Sequence, residues 1–273
     1  MTRSSSTVAR SSCAARCRRS RNTMPCAGSI WETAMLELNN IDVHYGATQV
    51  LWDVSMRVGA GEIVSVMGPN GSGKSTVLKA AMGLKKATRG AVILDGEDLQ
   101  GKSATLRPKR GMSIVLERRR LFPRMSVREN IQLGAFTRTH AEAARTMDWV
   151  LDILPDLQAH LNATAGKLSG GQQQMVAIAR GLMADPRVLL MDEPFLGLSP
   201  IMVRTVSDIM RTINEKGVAI LFNEQNAKLS FALSHRGYLL ESGRVVLSGS
   251  GEEMLDHPEV KRVYLGQKTE GAA

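Results

Sequence analysis

The chain alternates between two hydrophobic periods, and each period predicts a different kind of element. Between residues 36 and 61, apolar and polar positions alternate, which predicts at least two antiparallel strands joined by glycine turns. Mainly apolar runs at 63–67, 188–191 and 218–222 have the length of strands buried in a parallel sheet. From 118 to 185 the spacing is helical. We therefore expect an α/β fold with a mixed or parallel core sheet, an antiparallel β subdomain and a helical subdomain at about 118–185.

Shorter elements extend this pattern on either side of the helical stretch. Strands are expected at 91–94 and 113–116, a hairpin at 237–240 and 244–247, and a last helix at about 252–263. No apolar run approaches the roughly 18 residues typical of a membrane-spanning helix. With 43% hydrophobic and 22% charged residues, the composition is that of a globular protein.

The first 34 residues differ in composition from the rest. They hold six arginines and one acidic residue, which is five of the nine net positive charges, so the remainder has an ordinary surface charge. All three cysteines also lie here, so the body of the fold needs no disulfide, which suits a reducing cytoplasm. We expect a disordered basic leader at 1–34 and a natural start at Met35. An organelle transit peptide is the alternative.

Residues 68–76, GPNGSGKST, follow an apolar strand and open a helix, which is the context of a phosphate-binding P-loop. Glycines let the loop backbone curve and aim its N–H groups at a polyphosphate, and the helix start adds the positive end of its dipole. Lys74 is expected to reach the β- and γ-phosphates, and the Ser75 hydroxyl to bind Mg²⁺. The candidate nucleotide contacts in this segment are Gly68, Pro69, Asn70, Gly71, Ser72, Gly73, Lys74, Ser75 and Thr76.

Two carboxylates end the apolar run that starts at residue 188. Binding sites form at the carboxyl ends of parallel strands, where Asp192 and Glu193 stand. Asp192 is expected to hold Mg²⁺, and Glu193 to orient or deprotonate an attacking water. A strand that simply exits into solvent through two acids is the alternative, and the P-loop upstream argues against it.

Two other features have both a structural and a functional interpretation. The segment LSGGQ, residues 168–172, precedes an amphipathic helix; Ser169 suits a helix N-cap, and a Ser-Gly-Gly start exposes backbone N–H groups to an anion. Alone, this segment would be interpreted as a helix cap. Tyr45 ends the first predicted strand and either stacks on a nucleotide base or is a half-buried sheet tyrosine.

The order of P-loop, LSGGQ and an apolar strand ending in Asp-Glu resembles the ATP-binding cassette family, over residues 35–266. HYG before QVLWDVS, LERRRLFPRMSVRENI, MDEPFLGLSP, NEQNA and a terminal VYLG further resemble the second ATP-binding subunit of bacterial branched-chain amino acid importers. Close relatives of that subfamily serve urea and short amides. The resemblance implies an ATP-binding cassette domain at 35–267, followed by a tail at 268–273.

The family resemblance implies specific roles and partners. Tyr45 would stack on adenine, the P-loop would wrap the phosphates, and Glu193, Lys74 and Gln225 would be catalytic. In this family a head-to-tail dimer hydrolyses ATP at its interface, so Ser169, Gly170 and Gly171, with Leu168 and Gln172 beside them, would close over ATP held by a second subunit. ATP and Mg²⁺ would be the cofactors. The dimer would dock on two permease subunits at the cytoplasmic face of the inner membrane, fed indirectly by a periplasmic solute-binding protein.

Three positions depart from the family pattern. Glu117 replaces a Gln that in the family contacts Mg²⁺ and the membrane subunit. Its carboxylate is expected to bind Mg²⁺ and the nucleotide site in the same way, and the arginines at 118–120 are expected to offset its charge. Ser199 stands where Asp is frequent. Gln225 replaces the His that senses the γ-phosphate; an amide donates a hydrogen bond but cannot become cationic. We therefore expect a heterodimer with unequal sites, in which this chain's P-loop site turns over slowly.

Two other classes of function are compatible with a nucleotide site. A cassette ATPase acting on DNA or ribosomes would carry tandem cassettes or a long coiled-coil insertion, but the chain has one P-loop and no sustained heptads, so no nucleic-acid partner is expected. A regulatory module that binds ATP without hydrolysis is the second class. Glu193 argues against it, whereas Gln225 leaves it open.

Overall fold

A computed structural model of the protein describes residues 34–264. The expected leader, apart from Ala34, and the expected tail at 268–273 lie outside the described residues. The strands within 34–264 are β1 (Ala34–Tyr45), β2 (Thr48–Gly59), β3 (Ile63–Met67), β4 (Arg89–Leu94), β5 (Glu97–Asp98), β6 (Met112–Val115), β7 (Val188–Asp192), β8 (Ala219–Glu224), β9 (Arg236–Glu241) and β10 (Arg244–Ser250). The α-helices of the same range are α1 (Lys74–Ala81), α2 (Leu106–Lys109), α3 (Val127–Gln132), α4 (His140–Ile153), α5 (Gly170–Leu182), α6 (Pro200–Glu215), α7 (Ala227–Leu233), α8 (Gly251–Asp256) and α9 (Pro258–Tyr264).

A four-stranded antiparallel sheet holds the amino-terminal alternating segment, in the order β2-β1-β4-β5. In β1 the fully buried residues are Leu36, Leu38, Ile41 and Val43. The buried residues of β1 have even numbers up to Leu38 and odd numbers after it. At this point the pairing with β2 is irregular, and Asn40 has a φ of 50°. An extra residue at a bulge moves the following side chains to the other face, which restores the apolar face to the core. The predicted antiparallel strands are confirmed.

The second sheet has the order β10-β9-β3-β8-β7-β6, and its pairs are parallel except that between β10 and β9. Every residue of β3, β7 and β8 is buried. These strands are apolar because helices and the other sheet cover both faces, as their sequence predicted. The carboxyl ends of β3, β7 and β8 meet at one edge of the sheet, which brings the P-loop beside Asp192 and the end of β8.

The chain between β6 and β7 is mainly helical, as its spacing predicts. A capping box starts each of its three longer helices, with Ser126 at α3, Thr139 at α4 and Ser169 at α5. The boundaries of a separate helical subdomain stay a prediction. Among the described residues, no helix combines the length and the apolar character needed to cross a membrane.

The prediction of one last helix at 252–263 is wrong. Two helices, α8 and α9, occupy this stretch and are separated at His257, whose backbone is extended with a ψ of 127°. The ring of Pro258 clashes with a helical conformation of the residue before it, which ends α8. Pro258 then starts α9, because a proline at the first helical position loses no hydrogen bond.

Candidate functional site

The P-loop runs from the end of β3 to the start of α1, at the carboxyl edge of the parallel sheet. Two of its glycines are required by their surroundings. A Cβ at Gly68 would overlap the carbonyl oxygen of Leu240, and one at Gly73, which has a φ of 104°, would lie 2.6 Å from a methyl group of Leu51. Residues of both sheets therefore pack closely against the loop from two sides.

Lys74 projects into this loop and is only 4% exposed. Its Nζ donates to the carbonyl oxygens of Gly68, at 2.7 Å, and Pro69, at 3.0 Å. Burial lowers the pKa of Lys74 below its ordinary value. The negative charges of Glu193, Glu224 and Asp192 act in the opposite direction on that pKa. The ammonium group of Lys74 therefore lies inside the curve of the P-loop and close to three carboxylates. There it can offset the negative charge of a triphosphate.

Ser75, at the start of α1, and Asp192, at the end of β7, are in direct contact. The Ser75 hydroxyl donates to Oδ1 of Asp192 at 2.7 Å, although the two residues are 117 positions apart. Asp192 is 2% exposed and also accepts a hydrogen bond from Nδ2 of Asn223 at 2.7 Å. The structure thus brings together two of the three side chains expected to bind Mg²⁺.

Glu193 follows Asp192 in the left-handed region, with a φ of 48°. Its backbone N–H donates to Oδ1 of Asn223 at 2.6 Å, and its Oε1 accepts from Nε2 of Gln225 at 2.9 Å. The two expected catalytic residues of the strand ends, Glu193 and Gln225, therefore lie in hydrogen-bond contact. Their catalytic roles stay predictions.

Sequence reasoning missed two residues at the end of β8. Asn223 is fully buried and pairs in register with Asp192 of β7. Glu224 is 8% exposed; its Oε1 accepts from the backbone N–H groups of Gln225 and Asn226, and burial raises its pKa. Within the described residues, its Oε2 is buried without a hydrogen-bond partner. The signal available in the sequence was a pair of polar residues that closes an apolar strand.

A cavity of about 230 Å³ opens in front of the P-loop. Tyr45, at the end of β1, lies at its border, 44% exposed, and the Nζ of Lys85 stands 4.1 Å from the centre of its ring. This position suits stacking of an aromatic base, whose assignment to Tyr45 stays a prediction. The lining residues are Tyr45, Val50, Asn70, Gly71, Gly73, Lys74, Ser75, Thr76 and Glu193.

Glu117 is placed differently from the other two expected metal ligands. Its Oε1 pairs with Nε of Arg118 at 3.2 Å, and within the described residues it makes no hydrogen bond to Ser75 or Asp192. Residues 118–120 all have positive φ values of 50–64°. Arg180 of α5 donates to the carbonyl oxygens of Arg119, at 2.7 Å, and Arg120, at 2.8 Å, which holds this left-handed turn. Metal binding by Glu117 stays a prediction.

The LSGGQ segment forms the start of α5. Ser169 Oγ accepts from the Gln172 backbone N–H, and Gln172 Oε1 accepts from the Ser169 backbone N–H, so both side chains cap the helix. A Cβ at Gly171 would lie 2.6–2.8 Å from side-chain atoms of Met202, so packing against Met202 explains why this residue is a glycine. Of residues 168–172, none borders the P-loop cavity in the described chain. A role toward ATP therefore requires a second copy or subunit.

The donor set of the site fits Mg²⁺. Hydroxyl and carboxylate oxygens are the ligands this ion prefers, and it binds through one or two protein groups while phosphates and water complete its shell. Ser75 Oγ and Asp192 Oδ1, 2.7 Å apart, supply two such oxygens. No cluster of three or more His, Cys, Asp or Glu residues suited to a metal occurs among residues 34–264, as expected where the nucleotide supplies further ligands.

Comparison with known proteins identifies this arrangement. A model of the ABC transporter family matches residues 51–196, a stretch that contains the P-loop, LSGGQ and the end of β7. The chain belongs to the ABC transporter family. It is an ATP-binding cassette that hydrolyses ATP, and the recognition based on its motifs is confirmed.

Several relatives match this cassette along almost their whole length. It is 40% identical to the high-affinity branched-chain amino acid transport ATP-binding protein BraG of Pseudomonas aeruginosa, over 85% of this chain and 100% of BraG. It is 34% identical to the probable branched-chain amino acid transport ATP-binding protein LivF of Archaeoglobus fulgidus, over 85% and 99%. The lipopolysaccharide export ATP-binding protein LptB of Escherichia coli K12 is 33% identical, over 86% and 98%.

Solved cassettes share the fold. The ADP conformation of MJ1267, an ATP-binding cassette of an ABC transporter, superposes with a TM-score of 0.78 at 26% identity, covering 86% of this chain and 100% of that one. MJ0796, a bacterial ABC transporter cassette solved as a dimer, superposes with a TM-score of 0.70 at 28% identity, covering 79% and 98%. The predicted P-loop cassette fold is therefore confirmed.

Proposed function

We propose that this cassette hydrolyses Mg²⁺-ATP to power the import of branched-chain amino acids through separate permease subunits. The contact of Ser75 with Asp192 beside Lys74 and Glu193 supports the chemistry. The similarity to BraG, over 100% of that protein and 85% of this chain, carries the choice of solute, and the similarity to LivF agrees with it.

Each residue of the site has a task in this reaction. Lys74 and the inward N–H groups of the P-loop bind and orient the phosphates. Glu193, which lines the cavity, orients the attacking water and takes its proton. Bound Mg²⁺, held by Ser75 and Asp192, would neutralise charge on the phosphate oxygens. Tyr45 stacks on adenine at the border of the cavity.

The LSGGQ segment acts on a second cassette. Ser169, Gly170 and Gly171 present the amino end of α5, whose dipole and N–H groups favour an anion, to ATP bound by the partner. The dimeric cassette MJ0796 supports such an association. Gln225 supports a heterodimer. This chain's own site carries a neutral amide at that position, so a partner whose site carries the usual family residues would make the two sites unequal.

An apolar groove is the proposed docking place of the permeases. It has a volume of about 310 Å³ and lies between α2, the start of β6 and the α3–α5 region. Leu84, Leu133 and Phe136 border it and are 50%, 41% and 66% exposed, and exposed apolar side chains grouped at one place are typical of interaction sites. A permease helix covering this groove would hold the cassette at the cytoplasmic face of the inner membrane.

Reconstitution tests this function. The cassette, a second cassette and the permeases are placed in proteoliposomes, and ATP hydrolysis is measured with a binding protein loaded with leucine, urea or a short amide. Leucine is expected to stimulate hydrolysis and to be taken up. Stimulation by urea or the amide alone would overturn the solute, and stimulation of a lipopolysaccharide export complex in its place would overturn the import function.

The docking groove has its own matched variants. Phe136→Asp places a charge in the groove and is expected to abolish co-purification with the permeases. Phe122→Asp is the control, because Phe122 is 53% exposed but does not border the groove. Equal co-purification of the two variants would contradict this docking place.

A further inference from the structure

Asn223 is an unusual residue for its position. It stands near the end of β8, after four apolar residues, and is completely buried. An amide removed from water is unfavourable unless each of its polar atoms finds a partner. The partners of Asn223 therefore explain why a polar residue can occupy this place.

Those partners are three residues of the proposed reaction. Nδ2 donates to Oδ1 of Asp192 at 2.7 Å and stands 3.4 Å from Oγ of Ser75. Oδ1 accepts from the Glu193 backbone N–H at 2.6 Å. Since one end of the amide faces a carboxylate and the other faces an N–H group, only one orientation of the side chain satisfies both.

The position of Asn223 in the sheet makes this arrangement rigid. It pairs with Asp192 across the parallel strands β7 and β8, and both residues are buried. Glu193 adopts a left-handed backbone conformation, which non-glycine residues keep only when neighbouring groups hold it. The hydrogen bond from its N–H to Asn223 is such a restraint.

We propose that Asn223 is a positioning residue that sets the spacing of Ser75 and Asp192 for Mg²⁺ and fixes the backbone of Glu193. Asn223 does not line the cavity in front of the P-loop, so it acts through Ser75, Asp192 and Glu193. A residue that orients metal ligands in this way typically changes metal affinity or activity 10–100-fold when it is replaced. The inference rests on the proposed Mg²⁺-ATP chemistry and assigns a new role within it.

Metal dependence separates positioning from a merely structural role. Asn223→Leu keeps the size of the side chain and removes its hydrogen bonds. Asn214→Leu is the control, because the side chain of Asn214, in α6, makes one hydrogen bond, from Nδ2 to the carbonyl oxygen of Val218, which directly precedes β8 at the end far from the site. Binding of a fluorescent ATP analogue is titrated with Mg²⁺, and Mn²⁺ binding is followed by electron paramagnetic resonance, on the full chain.

We expect Asn223→Leu to raise the half-saturating metal concentration at least about tenfold, with nucleotide affinity in the presence of a chelator changed less than about twofold. Asn214→Leu should leave the metal titration unchanged. If Asn223→Leu does not fold, Asn223→Ser, which removes the amide but stays polar, is expected to shift the titration in the same direction.

Two results would overturn the inference. One is a metal titration of the folded Asn223 variant equal to that of the parent, and the other is an equal shift in Asn214→Leu. A parent chain that binds the nucleotide without any metal dependence would overturn the proposed function as well, so the two failures are distinguishable.

Discussion

The side-chain amide of Gln225 donates a hydrogen bond from Nε2 to Oε1 of Glu193 at 2.9 Å. This donor is neutral at every physiological pH, whereas a histidine at the same position could become cationic. The carboxylate of Glu193 is therefore hydrogen-bonded to a neutral amide, which cannot supply positive charge when a phosphate is cleaved from ATP. The contact supports the proposal that this cassette's own site turns over more slowly than its partner's.

The asymmetry predicts unequal effects of one substitution in the two cassettes. A general base contributes about 10²–10⁴-fold to a rate. Glu193→Gln in this chain should reduce the ATP turnover of the reconstituted transporter less than about tenfold, and the corresponding change in the partner cassette more than about 100-fold. Steady-state hydrolysis by each single variant and by the double variant measures this. Equal losses would show that the two sites contribute alike.

A second prediction concerns the left-handed turn after Glu117. Arg118 has a φ of 62°, a conformation that disfavours side chains with a Cβ by about 1–2 kcal/mol. Arg118→Gly removes that strain and makes the unfolded chain more flexible, so a net stabilisation of roughly 0.5–1 kcal/mol is expected. Urea unfolding measures it.

Arg128→Gly is the control for this prediction. Arg128 is exposed within α3, where glycine is expected to destabilise by about 1 kcal/mol. A gain in stability for Arg118→Gly together with a loss for Arg128→Gly would identify backbone strain as the cause. A loss of stability in both variants would contradict a strained turn at Arg118.

A third prediction tests stacking at Tyr45. Tyr45→Ala should weaken ATP binding about 3–10-fold, because aromatic stacking contributes about 0.5–1.5 kcal/mol beyond buried area. Tyr45→Phe should bind like the parent, since the ring and not the hydroxyl is required. Titration calorimetry with ATP and with inorganic triphosphate separates the base from the phosphates, and equal loss for both ligands would argue against stacking.

A fourth prediction follows from the buried carboxyl of Glu224. Burial raises its pKa in the folded protein above the ordinary value of 4.5. The folded state therefore holds more protons than the unfolded state in the interval between the two values, so stability falls as the pH rises through it. Glu224→Gln removes this loss and should stabilise the chain at neutral pH. The gain should vanish below about pH 4.5, where the carboxyl is protonated in both states.

Urea unfolding at about pH 3.5, below the ordinary value, and at about pH 7.5 measures this pH dependence. Glu215→Gln, at the exposed end of α6, serves as the control for removing one surface carboxylate. A stabilisation by Glu224→Gln that is the same at low and neutral pH would show that ionisation of the carboxyl is not its cause.

The sequence predicted those parts of the fold that depend on local periodicity. The bounds of β3 agree at both ends, and the expected strands at 113–116 and 218–222 lie within two residues of β6 and β8. The motif residues could also be found, because the P-loop and the acids of β7 need particular residue types at fixed spacing.

The parts that sequence reasoning missed depend on strand order. Asn223 and Glu224 become site residues only because β8 lies between β3 and β7, a neighbour relation that no local pattern contains. The turn held by Arg180 is likewise invisible in sequence, since it depends on a contact between residues 60 positions apart. The break at His257 was missed although Pro258 signals it directly.

The most direct test of the account is ATP binding by the purified chain and its Lys74→Ala variant, measured by titration calorimetry. Lys79→Ala is the control, because Lys79 lies in the same helix and does not border the P-loop cavity. We predict that the parent and Lys79→Ala bind ATP alike and that Lys74→Ala binds at least about tenfold more weakly, since a charge-assisted contact contributes about 1.5–3 kcal/mol. A parent chain that does not bind ATP, or a Lys74→Ala variant that binds it as the parent does, would contradict the account.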